Sequence, residues 1–200
     1  MNFVTEKKLN LSFHDPDLED AATEIVAAIQ ERIQALEDLL YLPQTTKSEG
    51  LIEQYLDLET WINGYLIYEM GRNTDAAYFS VFIFFDPSEQ LFHLGPIWDF
   101  DTSFGNGDYD FEPEGFGLKR AKWVRPLFNY PAFVSALKEK WQSARESLKA
   151  SIQQVLPEQA ERIRISASLN NLCWPVSDRY GLTTASVQIR ITSGSFFFAP

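Results

Sequence analysis

Four side chains raise the question of chemistry in this chain. Asp75 and Ser80 stand five residues apart in "DAAYFS", and Asp99 and Asp101 stand two apart in "WDFD". Asn73 precedes Asp75 by two positions. Carboxylates so close in sequence repel one another unless a cation comes between them. A D-x-D pair therefore fits a ligand set for a divalent metal, and with it the chemistry of the phosphate groups such metals neutralise. Taken alone, D-x-D also fits a solvated turn after a strand, and Asp75 a turn at a helix end. The order of the residues along the chain is what separates these readings.

The elements that must position them are well punctuated. "HDPDLEDAATEIVAAIQERIQALEDLLYLP" predicts a helix with Asp15 as N-cap and Pro16 in its first turn. Leu18, Ala22, Ile25, Val26, Ile29, Ile33, Leu36 and Leu40 recur at three-to-four spacing, and Pro43 stops the helix. A second helix starts at the cap Asp57 and ends at Gly71, with Trp61, Ile62, Tyr65, Leu66 and Met70 along its apolar side. "VFIFF" and "LFHLG" then read as a hairpin whose turn is "DPSEQ". "DFDTSFGNGDYDFEPEGFG" is too rich in glycine for regular structure and reads as a long loop, a place where function often sits. Helical patterning returns at "PAFVSALKEKWQSARESLKASIQQVL", with Phe133, Leu137, Trp141 and Leu148 spaced for packing, and again at "PEQAERIRISASLNNLCW". In the tail, Val187, Ile189 and Ile191 alternate as in a strand. The expected fold is α+β and mainly helical with a central hairpin, in a domain of residues 1–175 followed by a tail of 176–200.

Composition narrows the function. Two hundred residues, 45% hydrophobic, suit one domain with a substantial core. A formal charge of −11 argues against nucleic-acid binding and against docking on anionic lipid, because both depend on basic residues. Cys173 is the single cysteine, so neither an internal disulfide nor a cysteine zinc site can form. "MNFVTEKKLNL" lacks the apolar core of a secretion signal, and no run of about 18 apolar residues marks a membrane span. The acidic series Asp108, Asp110, Glu112 and Glu114 fails as an EF-hand begun at Asn106, since Phe111 stands where glycine is required and Gly117 where glutamate is. His14 and His93 are too far apart to suggest a metal site, and His93 reads as a surface or packing residue. The five tryptophans read as packing rather than as a sugar platform. Lys119, Arg120, Lys122 and Arg125 either counterbalance the acidic loop or bind an acidic peptide.

Helix, Asp, a polar residue five positions on, hairpin, then D-x-D is the order found in phosphotransferases of the protein-kinase type. "ETWINGYLIYEMGRNTDAAYFSVFIFFDPSEQLFHLGPIWDFDTSFGN" resembles the spore-coat protein H family, the CotH-like atypical protein kinases, in its N-x-D and G-P-x-W-D-F-D-x-x-x-G-N signatures. The resemblance covers roughly residues 20–175. It implies the C-terminal lobe of a kinase-like fold, ATP with Mg²⁺ or Mn²⁺ as cofactors, and phosphorylation of Ser or Thr on a protein of the coat or cell surface. It implies Asp75 as the catalytic residue accompanied by Asn73, and Asp99 as the metal ligand with Asp101 beside it. Ser80 takes the slot of a metal-binding asparagine, and Asn106 orders the loop. The spore coat or the outside of a bacterial cell is the compartment the resemblance suggests. Residues 1–70 contain no G-x-G-x-x-G, and Lys7 and Lys8 sit in a polar start with no strands around them, so an N-terminal lobe is expected to be missing. A non-catalytic surface module on the same scaffold, or a small-molecule phosphotransferase, fits the same residues.

Overall fold

The computed structural model describes residues 2–15, 22–43, 51–104 and 115–174. The elements run β1 (Asn2–Val4), β2 (Asn10–Ser12), α1 (Thr23–Leu40), α2 (Leu58–Met70), β3 (Ile83–Asp86), β4 (Leu91–Leu94) and α3 (Pro131–Cys173), with short 3₁₀ turns between them. The chain is α+β and mainly helical, and its strands pair as two antiparallel hairpins, β1 with β2 and β3 with β4.

Helix α2 is the centre of the core. Asp57 caps it as expected, its carboxylate accepting the Thr60 N–H at 2.8 Å. Trp61, Ile62, Tyr65 and Tyr68 are buried along one face of the helix, at the i, i+1, i+4, i+7 spacing of a broad apolar stripe. Leu36 and Leu40 of α1, Phe92 and Leu94 of β4, and Phe133 and Leu137 of α3 close around it. Aromatic edges interlock there: Trp61 meets Trp123 at 5.7 Å and Tyr65 meets Phe128 at 5.4 Å between ring centroids. Such pairs contribute about 0.5–1.5 kcal/mol each beyond simple burial. Gly64 is needed for the close approach of the hairpin, since a Cβ at that position would lie 2.3 Å from Leu94 Cδ2.

The hairpin pairs Ile83 with Leu94 and Asp86 with Leu91. Phe92 locks it to the start of α2. Its N–H donates to Tyr55 O at 2.7 Å, and its carbonyl accepts from Asp57 N at 3.1 Å and Trp61 Nε1 at 2.9 Å. The strand leaving this anchor runs directly into "WDFD".

Several expectations need correction. Lys7 and Lys8 do lie between strands: they belong to the turn of the β1–β2 hairpin, with Lys8 at φ 66°. The pairing of Phe3 with Leu11 gives the hairpin its apolar side, and the buried Thr5 hydroxyl and Lys7 N–H both donate to the Glu37 carboxylate of α1. Asp15 does not cap α1, which begins at Thr23 after an extended Ala22 with no side-chain cap. The buried positions of α1 are Leu36, Glu37 and Leu40, Ile29 and Ile33 pack half-buried against the core, and residues 23–25 are exposed, so packing does not anchor its first turn. The two predicted C-terminal helices are one, with Pro157 inside α3. Beyond Leu148 this helix is exposed, so water reaches the carbonyl that Pro157 leaves without a donor, and the good helix formers on both sides carry the helix through. Trp61 and Trp123 are core residues, but Trp98 and Trp174 are exposed. Pro16, Leu18, Asn106, the series Asp108 to Glu114, and the tail strand at 187–191 lie outside the described residues.

Candidate functional site

The site begins where α2 stops. Gly71 is the C-cap, yet it is Arg72 that takes the left-handed conformation, at φ 50°. Gly71 is required for another reason: a Cβ there would stand 2.9 Å from Phe100 Cε1. Asn73 follows, buried, with its side chain used at both ends. Its Nδ2 donates to the Asp99 carbonyl at 2.6 Å, and its Oδ1 accepts the Ala76 N–H at 3.1 Å. Asp75 opens a single 3₁₀ turn, Asp75–Ala77, and is half-buried. Its carbonyl accepts from Tyr78 N at 2.8 Å and Phe79 N at 2.6 Å. Trp123 Nε1 fixes the same turn through the Ala76 carbonyl at 2.9 Å.

Ser80 ends the segment at φ 56°, and its hydroxyl donates to Asp99 Oδ2 at 2.9 Å. The Ser80 carbonyl accepts from Trp98 Nε1 at 3.1 Å and from Tyr68 OH at 3.5 Å. Asp99 itself lies at φ 62°. Phe100, next in the chain, stacks on Tyr68 with 5.5 Å between centroids and 5° between planes. Phe104 N–H donates to Gly71 O at 2.7 Å, closing the turn back onto the end of α2. Of the six non-glycine residues with positive φ among those described, four belong here: Arg72, Ser80, Asp99 and Phe104. Left-handed backbone at such positions is uncommon and gathers where geometry is over-determined.

Asn73, Ser80 and Asp99 are thus joined by hydrogen bonds, and Asp75 lies within the segment whose two ends hold Asp99. Asp101 is exposed on the turn that follows. Asp75, Asp99 and Asp101 do not form a tight three-carboxylate group. Among the described residues, the trio whose ligand atoms come within 4.8 Å of one another is Asp86, Glu89 and His93, elsewhere on the hairpin.

This N-x-D segment bonded to a W-D-F-D turn behind a hairpin is the local arrangement that a family comparison can test. The family model described as CotH kinase protein matches residues 5–178. The chain belongs to the CotH kinase family. The match takes in β2 and all the site residues above, and so extends further toward the N-terminus than the motifs alone indicated. No curated protein and no solved structure matches the chain.

Within this CotH domain, several residues that sequence reasoning missed shape the site. Glu69 is buried, and its carboxylate accepts Gly117 N–H at 2.6 Å and Leu118 N–H at 3.0 Å. Arg72 stands 3.8 Å from Glu69 and donates to the Gly115 carbonyl at 3.2 Å. Together they tie the chain after residue 114 to the end of α2. Tyr68 lies behind Asp99. Burial raises its phenol above the ordinary value, a backbone hydrogen bond from Trp98 pulls the other way, and the Asp99 charge raises it again. A charged Glu in the apolar run "YLIYEM" was the available signal for Glu69, because an acid on a buried helix face must find donors. Nothing local in the sequence pairs Tyr68 with Phe100.

Proposed function

We propose that this CotH domain carries the acceptor-orienting and metal-binding half of an ATP-dependent protein kinase acting on Ser or Thr hydroxyls. The observation that supports it is the double tie on Asp99: Asn73 holds its main chain and Ser80 its carboxylate, from the two ends of the segment that carries Asp75. In this reading Asp99, Asp101 and Ser80 hold Mg²⁺ or Mn²⁺, whose preference for carboxylate and hydroxyl oxygens this donor set meets. Bound there, the metal–ATP complex supplies the phosphoryl group and neutralises the charge that develops on it. The Ser80 hydroxyl, committed to Asp99 Oδ2, orients that carboxylate and leaves Oδ1 to face a cation. Asp75 accepts the proton side of the acceptor hydroxyl and aims its oxygen for in-line attack. Asn73 is a positioning residue in this scheme, since both ends of its amide are spent on the backbone of the site. In this reading the substrate is a protein of the cell or spore surface.

The test is phosphate transfer from γ-labelled ATP by the complete protein with Mg²⁺ or Mn²⁺. Asp99→Asn and Asp75→Asn each lower transfer at least about 100-fold while leaving the urea midpoint in place, because neither carboxylate is part of the core. Parent-level labelling by Asp99→Asn overturns the assignment. Metal-dependent thermal stabilisation by ATP separates a kinase from a surface module built on the same scaffold. Labelling of small alcohols or aminoglycosides in place of protein would reassign it as a small-molecule phosphotransferase.

A further inference from the structure

The tip of the β3–β4 hairpin holds a second cluster that phosphoryl transfer does not use. Asp86 ends β3, Glu89 lies in the turn, and His93 is on β4, with one ligand atom of each within 4.8 Å of the others. The imidazole of His93 is held in place. It stacks on Phe84 with 4.7 Å between centroids and 7° between planes, and its side chain is only 12% exposed. Nδ1 lies 3.7 Å from Asp57 Oδ1, and Nε2 lies 3.1 Å from Glu89 Oε2. Nε2 is buried and has no hydrogen-bond partner among the described residues.

Both ring nitrogens therefore face carboxylates. A neutral imidazole carries one N–H, so one nitrogen must turn a bare lone pair toward a negative oxygen unless a cation comes between. With Nδ1–H toward Asp57, the bare nitrogen is Nε2, and a metal there completes the carboxylate–imidazole–metal arrangement that orients histidine ligands. The spacing agrees. Four donors at zinc bond lengths of about 2.0–2.1 Å sit about 3.3 Å from one another on a tetrahedron, close to the 3.1 Å between Nε2 and Glu89 Oε2. The hydrogen bonds that Asp86 accepts from Ser88 and Glu89 all fall on Oδ1, which leaves its second oxygen for a cation. The turn is fixed from the other side by Arg32, which donates to the carbonyls of Gln90 and Gln54.

We propose that Asp86, Glu89 and His93 form a structural site for a zinc-type divalent cation that staples the tip of the β3–β4 hairpin, with water as the remaining ligand and Asp57 orienting His93. One imidazole among two carboxylates selects such an ion over Mg²⁺ or Ca²⁺, which prefer six or more oxygens. The site is separate from Asp99 and does not depend on the kinase reading.

The test uses the full chain stripped with chelator and kept in excess Mg²⁺. Zn²⁺ is titrated by calorimetry, and Co²⁺ is followed by the visible absorption of a tetrahedral centre. The expected result is one Zn²⁺ per chain with a Kd of about 10 µM or tighter, a higher Tm, and tetrahedral Co²⁺ bands. Glu89→Gln and His93→Gln each weaken binding at least about tenfold, and Asp99→Asn leaves it unchanged. Glu89 is exposed, so its variant stays folded and the result is readable even if His93→Gln is not. Absence of binding at about 100 µM Zn²⁺ overturns the proposal, as does equal binding by parent and Glu89→Gln.

Discussion

Replacing Asn73 by alanine tests the joint between the two halves of the site. The side chain is 2% exposed and makes two hydrogen bonds, to the Asp99 carbonyl at 2.6 Å and from the Ala76 N–H at 3.1 Å. Each is worth about 1 kcal/mol net, and the Ala76 N–H, now buried without a partner, adds about 1–3 kcal/mol of uncompensated desolvation. Allowing for partial relaxation, the loss is about 3 kcal/mol, which for a domain of this size lowers Tm by about 6–12 °C. Asn73→Asp separates the two bonds: it keeps an acceptor for Ala76 N–H but sets a carboxylate oxygen against the Asp99 carbonyl, so it destabilises as much or more. Urea denaturation followed by tryptophan fluorescence measures both variants. Phosphate transfer, assayed well below the lowered Tm, falls further than the folded fraction does, because Asp99 loses the tie that holds its left-handed backbone. An Asn73→Ala protein within about 0.5 kcal/mol of the parent would refute this account.

Two further outcomes follow from buried groups. Glu69→Gln leaves one of the Gly117 and Leu118 amides facing an N–H₂ group, and is expected to cost about 2–3 kcal/mol, seen in the urea midpoint and in faster hydrogen exchange at those two amides. Alkaline pH should weaken the fold through Tyr65, whose phenol is raised from 10.0 by burial first and then by the Glu69 charge. The unfolded chain releases that proton near pH 10 while the folded chain keeps it, so the contribution is complete below pH 10. Above it, stability falls by up to about 1.4 kcal/mol per pH unit. Tyr65→Phe removes that component of the slope, measured as urea midpoints between about pH 8 and 11.

What the sequence disclosed, and what it hid, divides along a physical line. The Asp57 cap, the end of α2 at Gly71 and the "DPSEQ" turn rest on short-range rules, and each is where the residues placed it. Membership in the CotH family was legible in N-x-D and GPIWDFD, signatures read residue by residue. The first hairpin was hidden because its turn is the charged run "TEKK". Its strands are three residues each, and what holds the turn is a distant partner, Glu37. The continuity of α3 through Pro157 was hidden too, because a proline signals a break by its own chemistry and only surrounding helix formers and solvent outvote it. Within the site, the bond from Ser80 to Asp99 spans 19 positions and that from Asn73 to Asp99 spans 26. Residue types could nominate these three, but only the folded hairpin brings them within reach of one another.

The hairpin has a geometric task that explains where the strain falls. It must leave α2 at Gly71, travel out and back, and deliver Asp99 beside the residues that began the excursion. Chain reversals of that tightness need left-handed backbone, and Arg72, Ser80, Asp99 and Phe104 supply it without glycine. Such positions cost of order 1 kcal/mol each. Every one has a polar tie at or beside it: Arg72 to Gly115 and Glu69, Ser80 to Trp98 and Tyr68, Asp99 to Asn73, and Phe104 to Gly71. Glycine at these positions would relax the backbone, but at Ser80 and Asp99 it would also remove the hydroxyl and the carboxylate that face one another. The chain accepts strain where it fixes oxygen atoms on a rigid frame, and under the proposed kinase reading that frame would hold a cation's ligands in place before the cation arrives.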